Sequence, residues 1–286
     1  MPKIGLRFLT LGFLSAACCG AAGAANKSEF NLFNPTPPDL MREMSTDRPD
    51  KTESPYTVDA GHMQIEMDLA TYSYDRRNPA HSATRTQSLN ILPTNLKLGL
   101  FNNLDIQLVS ENFLWLREEN LDTNQANETT GAGDTTLRLK LNLWGNDGGA
   151  SAFALMPFIT FPTASAGLGV DDTEFGLIVP LALQLPRDFS LGLMTEFDVV
   201  HDEDDDLNFQ WINSITLGRD LTKNLGAYIE FFTALDPDRT SALELTLDLG
   251  LTFAIDDNLQ LDTGINIALT REPDDWNPFL GLSIRY

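Results

Sequence analysis

The sequence predicts an all-β chain: a transmembrane antiparallel up-and-down β-barrel of about twelve strands. Three observations predict it. Apolar residues recur at every second position from Gly61 to the end, the connections between those stretches alternate in length, and an export signal leads a chain with no segment apolar enough for a membrane helix.

At the start of the chain, Lys3 and Arg7 precede an apolar run from Phe8 to Ala17 and the small residues Gly20-Ala21-Ala22-Gly23-Ala24-Ala25. Positive charge, short apolar core and small residues in that order read as a cleavable signal peptide over 1–25. The run is shorter than the roughly 20 residues a membrane helix needs, so it is not expected to anchor the chain. Cleavage after Ala24 or Ala25 would remove both cysteines, Cys18 and Cys19, and with them any disulfide or thiol chemistry. A lipid anchor on Cys18 is disfavoured, because Ser15 stands where such signals usually carry a branched apolar residue. Without Lys3 and Arg7, 17 of the 19 basic residues remain against 41 acidic ones, a formal net charge of about −24. That balance argues against nucleic acid as a partner. A hydrophobic content of 42%, laid out in strict alternation, argues against an acidic disordered chain.

The clearest strand is Leu243-Glu244-Leu245-Thr246-Leu247-Asp248-Leu249-Gly250-Leu251-Thr252-Phe253, one face wholly apolar and the other Glu, Thr, Asp and Gly. The same pattern places strands near 62–74, 88–100, 104–117, 135–144, 150–161, 174–185, 189–200, 207–218, 225–235, 242–254, 259–270 and 278–286. Each is about the 9–11 residues that a tilted strand needs to cross a bilayer. Short connections fall at Phe101-Asn102-Asn103, Gly145 to Gly149, Pro186-Arg187-Asp188, Arg219 to Asn224 and Ile255 to Asn258. The alternate ones, at 75–87, 118–134, 162–173, 201–206, 236–241 and 271–277, are mostly longer and richer in charge. Bacterial barrels put short turns in the periplasm and long loops outside, with both termini periplasmic. Aromatic residues cluster at strand ends, with Tyr72, Trp115, Phe161, Phe175 and Phe209 on the outer side and Phe189, Phe253 and Tyr286 on the other. A soluble β-sandwich also alternates, but its outward faces are polar and it has no reason to alternate loop length.

Turning the apolar face to lipid puts the other face in the lumen: His62, Gln64, Glu66, Asp68, Lys97, Asp105, Gln107, Glu111, Arg138, Lys140, Glu196, Asp198, Glu230, Glu244, Asp248, Asp262 and Arg285. Acids outnumber bases among them, so the expected lumen is negative and disfavours small anions. Arg138 and Lys140 are expected to pair across strands with Asp105 and Glu111. One sector differs, with Ala152, Ala154, Met156, Phe158, Ile178, Pro180, Met194, Tyr228 and Phe232 at inward positions. That wall is either a path for amphipathic or aromatic solutes or the side-chain filling of a narrow barrel. Pro157 and Pro180 each remove a ladder hydrogen bond, so bulges or weakened pairing are expected there.

Little in the sequence carries catalytic chemistry. The three histidines, His62, His81 and His201, stand in no metal-ligand spacing and no Ser/His/Asp arrangement, and His81-Ser82 is a neighbouring pair in a loop rather than a supported nucleophile. His201-Asp202-Glu203-Asp204-Asp205-Asp206 lacks the glycine and spacing of a calcium loop and reads as a solvated outer loop. No cofactor, metal or enzymatic activity is expected.

Ahead of the first strand lies Thr46-Asp47-Arg48-Pro49-Asp50-Lys51-Thr52-Glu53-Ser54-Pro55-Tyr56-Thr57-Val58, followed by Gly61-His62 and Gln64-Ile65-Glu66. This motif resembles the opening of the transporter-like outer-membrane proteins of the MetA-pathway phenol-degradation family. Gly131-Ala132-Gly133-Asp134 before Leu137-Arg138-Leu139-Lys140, and Pro157-Phe158-Ile159-Thr160-Phe161-Pro162-Thr163, extend the likeness over 45–286. Ala164 stands where such proteins often have glycine. The resemblance implies an outer-membrane channel for small solutes, hydrophobic or aromatic compounds among them. The alternatives are a structural or adhesive barrel without conductance, and an outer-membrane hydrolase. Expected partners are outer-membrane lipid and lipopolysaccharide, the barrel-assembly machinery and a small-molecule solute. The segment 26–57, with Pro35, Pro37, Pro38, Pro49 and Pro55, is too proline-rich for a helix or central strand and is expected to be a periplasmic tail or a plug, ahead of a barrel over 58–286. Arg48 is expected to pair with lumen carboxylates such as Glu66. The last strand carries Leu280, Leu282, Ile284 and Tyr286 on its lipid face and must pair with the first, because no open edge survives in lipid.

Overall fold

A computed structural model describes residues 27–78, 83–201, 207–235 and 243–286. The chain forms one antiparallel sheet of fifteen strand segments: β1 (Met63–Asn78), β2 (Thr84–Ile91), β3 (Thr94–Phe101), β4 (Leu104–Ser110), β5 (Phe113–Asn120), β6 (Gln125–Gly131), β7 (Thr135–Trp144), β8 (Ser151–Phe161), β9 (Glu174–Leu185), β10 (Phe189–His201), β11 (Leu207–Asp220), β12 (Leu225–Leu235), β13 (Leu243–Asp256), β14 (Leu259–Ala268) and β15 (Trp276–Arg285). The pairs β2/β3, β4/β5 and β6/β7 are each one crossing interrupted near its middle, so the segments make twelve crossings.

The barrel closes where β15 pairs with β1, from Gln64 opposite Arg285 to Tyr74 opposite Trp276. Backbone bonds from Met63 N to the Tyr286 carbonyl (3.2 Å) and from Tyr286 N to the Met63 carbonyl (2.8 Å) continue the seam to the last residue. Closure is what lets a sheet sit in lipid, since every ladder donor then has a partner. Outward positions are apolar, as with Leu177, Leu181, Ile215, Leu217, Ile229, Phe231, Leu249 and Leu251.

Two of the expected loops are largely strand. The segments 75–87 and 118–134 look like loops because their charge masks the period-two pattern, yet β1 runs on to Asn78, β2 starts at Thr84, and β5 and β6 pair from Leu114–Gly131 to Asn120–Gln125. Beyond the apolar belt both faces of a strand meet water, so alternation disappears while pairing continues. Cross-strand ion pairs take its place: Arg85 with Glu119 at 3.2 Å and Arg117 with Glu128 at 2.6 Å, each between register partners.

The four crossings that extend are also the four that break. β1 shifts register between Asp68 and Ala70, and at the same level the other three break at Leu92-Pro93, Glu111-Asn112 and Ala132-Gly133-Asp134. Leu92 takes a left-handed φ of 57°, and the Pro93 carbonyl accepts from Asp68 N at 3.1 Å. Asp134 then organises the connection after β8, its carboxylate accepting from the backbone N–H groups of Thr163 (2.9 Å), Ala164 (3.0 Å) and Val170 (2.7 Å). At Pro157 and Pro180 the β7–β8 and β8–β9 ladders lose pairs but keep their register, so pairing weakens without a bulge there.

Candidate functional site: the filled lumen

The segment 27–62 enters the barrel from the end with the short turns and runs against the inner wall. It is tied first to the β3–β4 corner, where Leu32 N donates to the Leu100 carbonyl (2.9 Å) and Gly61 N to the Gly99 carbonyl (2.8 Å). Gly99 is needed at that contact, since a Cβ there would overlap the Asp59 carbonyl. Prolines at 35, 37 and 38 keep this stretch extended apart from one 3-10 turn, Pro38–Leu40.

A charged ring closes the short-turn end. Asp59, fully buried, is ringed by Arg42 (3.3 Å), Lys27 (3.4 Å) and Arg285 (3.8 Å), and Asp147 takes Lys27 (2.8 Å) and Arg42 (3.0 Å). Burial works to raise the Asp147 carboxyl, but its bonds from Lys27 and Asn102 outweigh that and hold it below its ordinary value. His62 joins the ring to the barrel seam, its Nδ1 at 3.0 Å from the Tyr286 carbonyl and its Nε2 at 2.7 Å from that of Thr36.

Deeper in, Asp47 sits between the two buried ammonium groups of the wall. It pairs with Lys97 and, at 2.5 Å, with Lys140, while Glu66 pairs with Lys97 and accepts the Asp47 N–H at 3.0 Å. Burial alone would raise the Asp47 carboxyl, but Lys140 and Lys97 together hold it well below the usual carboxylate range. Arg48 turns to the other side and bridges Asp68 (2.6 Å) and Asp262 (2.7 Å). Its guanidinium lies over the Phe279 ring at 5.6 Å and fills the space left by Gly281, where a Cβ would collide with it. Lys51 reaches Asp248 (3.3 Å) and lies 4.2 Å from the Phe232 ring centroid. Its backbone N–H and the Thr52 hydroxyl both donate to Glu230, at 2.9 and 2.5 Å. Glu53 pairs with Arg138 at 2.6 Å, and Val58 N donates to Asp105 at 3.0 Å.

Apart from the Lys97–Glu66 pair within the wall, these wall charges find their partners on the inserted segment. Sequence reasoning matched Arg138 and Lys140 with Asp105 and Glu111 on the neighbouring strand, and the structure corrects this: they pair with Glu53 and Asp47. Arg48 likewise takes Asp68 and Asp262, leaving Glu66 to Lys97. Glu111 lies at the break between β4 and β5, held by Asn90 Nδ2 at 3.1 Å. Glu196, Asp198 and Glu244 hold inward positions on β10 and β13, Asp198 buried and packed beside Gly176. The approach of the segment was not readable from alternation, because period two tells which face is inward and nothing about what fills the interior. Its one sequence signal was the run of opposite charges in Asp47-Arg48-Pro49-Asp50-Lys51, whose order complements Lys97, Asp262 and Asp248 on the wall.

The apolar sector is also filled. Met156, Ile178 and Met194 pack together, nearly fully buried, with Phe158 and Ile212 against them, and Glu53 N donates to the Met194 sulfur at 3.4 Å. Tyr228 donates its hydroxyl to the Pro49 carbonyl at 3.4 Å. Hollows remain on both sides of the inserted segment: one of about 480 Å³ at the short-turn end beside Arg42, Tyr56, Asp147 and Gln184, and one of about 170 Å³ beyond Asp47, between Arg48, Asp68, Pro93 and Arg138. His81, Ser82 and the acidic run 202–206 lie outside the described residues. Among the described residues no group of three His, Cys, Asp or Glu side chains is arranged to hold a metal ion.

Residues 46–286 match the family described as "Putative MetA-pathway of phenol degradation", a span that takes in both the inserted motif from Thr46 and the whole barrel. The chain belongs to this family. Among solved structures, an outer membrane channel from Pseudomonas putida F1 superposes with a TM-score of 0.59 at 13% identity, over 85% of this chain and all of the other. At that identity the likeness is one of fold, a transmembrane barrel of the outer-membrane type. The NanC porin follows at a TM-score of 0.47 and 10% identity, over 78% of this chain and 98% of that one. No curated protein matches.

Proposed function

We propose that this family member is an outer-membrane channel for small solutes, aromatic compounds among them, whose lumen is kept narrow by its own N-terminal segment. The observation that carries the reading is the pairing pattern. Lys140, Arg138, Asp262 and Asp248 are wall residues, each neutralised by a residue of 47–53, and Lys97 is shared between Asp47 of the segment and Glu66 of the wall. A barrel with a purely structural role gains nothing from burying charges that need an inserted chain to satisfy them. With the segment loosened, the same side chains would line a water-filled passage with an acidic bias, favouring cations and neutral solutes over small anions. The family description supports the aromatic substrate class. The short-turn end and both termini are assigned to the periplasm, as in bacterial barrels generally.

Planar-bilayer recording tests the reading. The full chain should give small, flickering conductance, and a chain lacking 27–57 a larger and steadier one. Equal traces would remove the segment from the mechanism, and silence from both would favour a structural or adhesive barrel, the reading that the filled lumen otherwise invites. Lipopolysaccharide and the barrel-assembly machinery are the proposed partners. Tyr286 closes the seam with Met63, so its deletion should lower the amount of assembled barrel more than the conductance of each channel.

A further inference from the structure

The outer wall carries a polar row where hydrocarbon should meet only apolar side chains. Thr195 on β10, Asn213 on β11 and Thr233 on β12 are direct cross-strand neighbours, sharing the outward face with Leu193, Ile215 and Phe231. Thr195 is the middle residue of the 13 in β10 and Asn213 the seventh of the 14 in β11, so these two lie near the middle of their crossings, while Thr233 is third from the end of β12. Trp211 Nε1 donates to the Thr195 hydroxyl oxygen at 2.9 Å, and the Thr233 hydroxyl donates to the Asn213 backbone carbonyl at 3.2 Å. The Asn213 carboxamide has no partner among the described residues.

An unpaired amide facing lipid is costly, and lipid cannot relieve it: ester and headgroup oxygens lie at the edges of a hydrocarbon layer about 30 Å thick. A relieving group must come from a molecule that reaches the middle of the bilayer. The three polar residues sit in a hollow of about 510 Å³ walled by Phe153, Leu181 and Phe231, within the range of about 300–1,000 Å³ usual for small-molecule sites. A second copy of the barrel would present the same concave patch, and two hollows face to face would not bring their amides together.

We propose that this hollow is a lipid-side binding site for a small apolar molecule carrying one hydroxyl, an aryl or alkyl alcohol dissolved in the bilayer. The ring or chain would fill the apolar walls, while the hydroxyl donates to Asn213 Oδ1 and accepts from Asn213 Nδ2 or the Thr195 hydroxyl. The site does not depend on passage through the lumen. A chain with Trp115, Trp144 and Trp276 replaced by Phe, in lipid nanodiscs, reports on it through Trp211, because bromine quenches indole fluorescence on contact. 4-Bromophenol should quench saturably, half-saturating at about a tenfold lower membrane concentration than bromobenzene, the factor one hydrogen bond carries. Asn213→Leu should raise the 4-bromophenol value toward that of bromobenzene. The variant puts an apolar group on the lipid face, so the barrel should stay folded, which heat-modifiable gel mobility checks. Equal linear quenching by the two solutes would overturn the proposal, as would a preference that survives Asn213→Leu. So would sedimentation of the native chain as a dimer that Asn213→Leu dissociates, which would make the row an interface between copies.

Discussion

Two sides of the lumen meet the same inserted segment in different ways. Around Lys97, Lys140 and Glu66 the contact is ionic: Asp47 pairs with both ammonium groups, and Glu66 shares Lys97 with it. Around Met156, Ile178 and Met194 the wall packs largely against itself, and the segment adds little more than the Glu53 N–H at the Met194 sulfur. The first side specifies where the segment sits, while the second fills the barrel whether or not the segment is there. Charges on the ionic side should thus control opening, and volume on the apolar side should control stability.

The largest expected effect comes from Asp47→Ala, which strands two buried ammonium groups beside one remaining carboxylate. Breaking such a pair costs about 3–5 kcal/mol. Most of that cost should appear as release of the segment, seen as a raised open probability in planar bilayers and new protease cuts near residue 50. Met156→Ala should cost toward the lower end of about 2–5 kcal/mol, the cavity range for such truncations. It should lower the temperature at which the barrel loses its compact gel mobility while leaving the open probability unchanged. If Met156→Ala opens the channel as much as Asp47→Ala does, the division between the two sides fails.

A smaller effect is expected at Gly281, where alanine would push the Arg48 guanidinium away from Asp262. Because the far end of a side chain can yield, about 1–3 kcal/mol is expected, read as a partial rise in open probability.

The smallest effect is that of pH. In the docked segment burial pushes Asp50 up to about 6, with the charges of Asp47 and Asp248 adding to it against a hydrogen bond from Thr216. Burial followed by the Asp47 charge pushes Glu53 up to about 7, against Arg138. A carboxyl whose docked pKa is raised imposes no penalty while protonated and opposes docking once ionised, so docking weakens as pH rises from about 5 to 7. Asp47 runs the other way, but its contribution fails only below its ordinary value of 3.8. Open probability should therefore rise modestly from about pH 5 to pH 7, and Glu53→Gln should flatten the rise. A profile unchanged by that substitution would assign the dependence elsewhere.

Much of the barrel was legible in the sequence, because each crossing inside the apolar belt must present lipid and lumen to alternate residues. Leu243 to Phe253 reads as it folds. Legibility stops where that constraint stops. Arg117-Glu118-Glu119 is strand, but above the belt water wets both faces and no alternation marks it. The inward positions of Lys97, Lys140 and Asp262 were readable for the same reason as the strands, whereas their partners were not. Asp47 and Arg48 lie in a segment without regular structure, and their distances to the wall follow from a path through the lumen that no local pattern encodes.

The central claim, that the inserted segment governs passage, is tested most directly by fastening it to the wall. The Thr52 and Ser214 hydroxyl oxygens are 2.6 Å apart, and the sequence has no cysteine beyond Cys18 and Cys19, so Thr52→Cys with Ser214→Cys offers a single disulfide across the lumen. Recorded in planar bilayers, the oxidised double variant should fall nearly silent and recover native conductance on addition of a reductant. Conductance that is the same before and after reduction, with the disulfide confirmed by mass, would contradict the account.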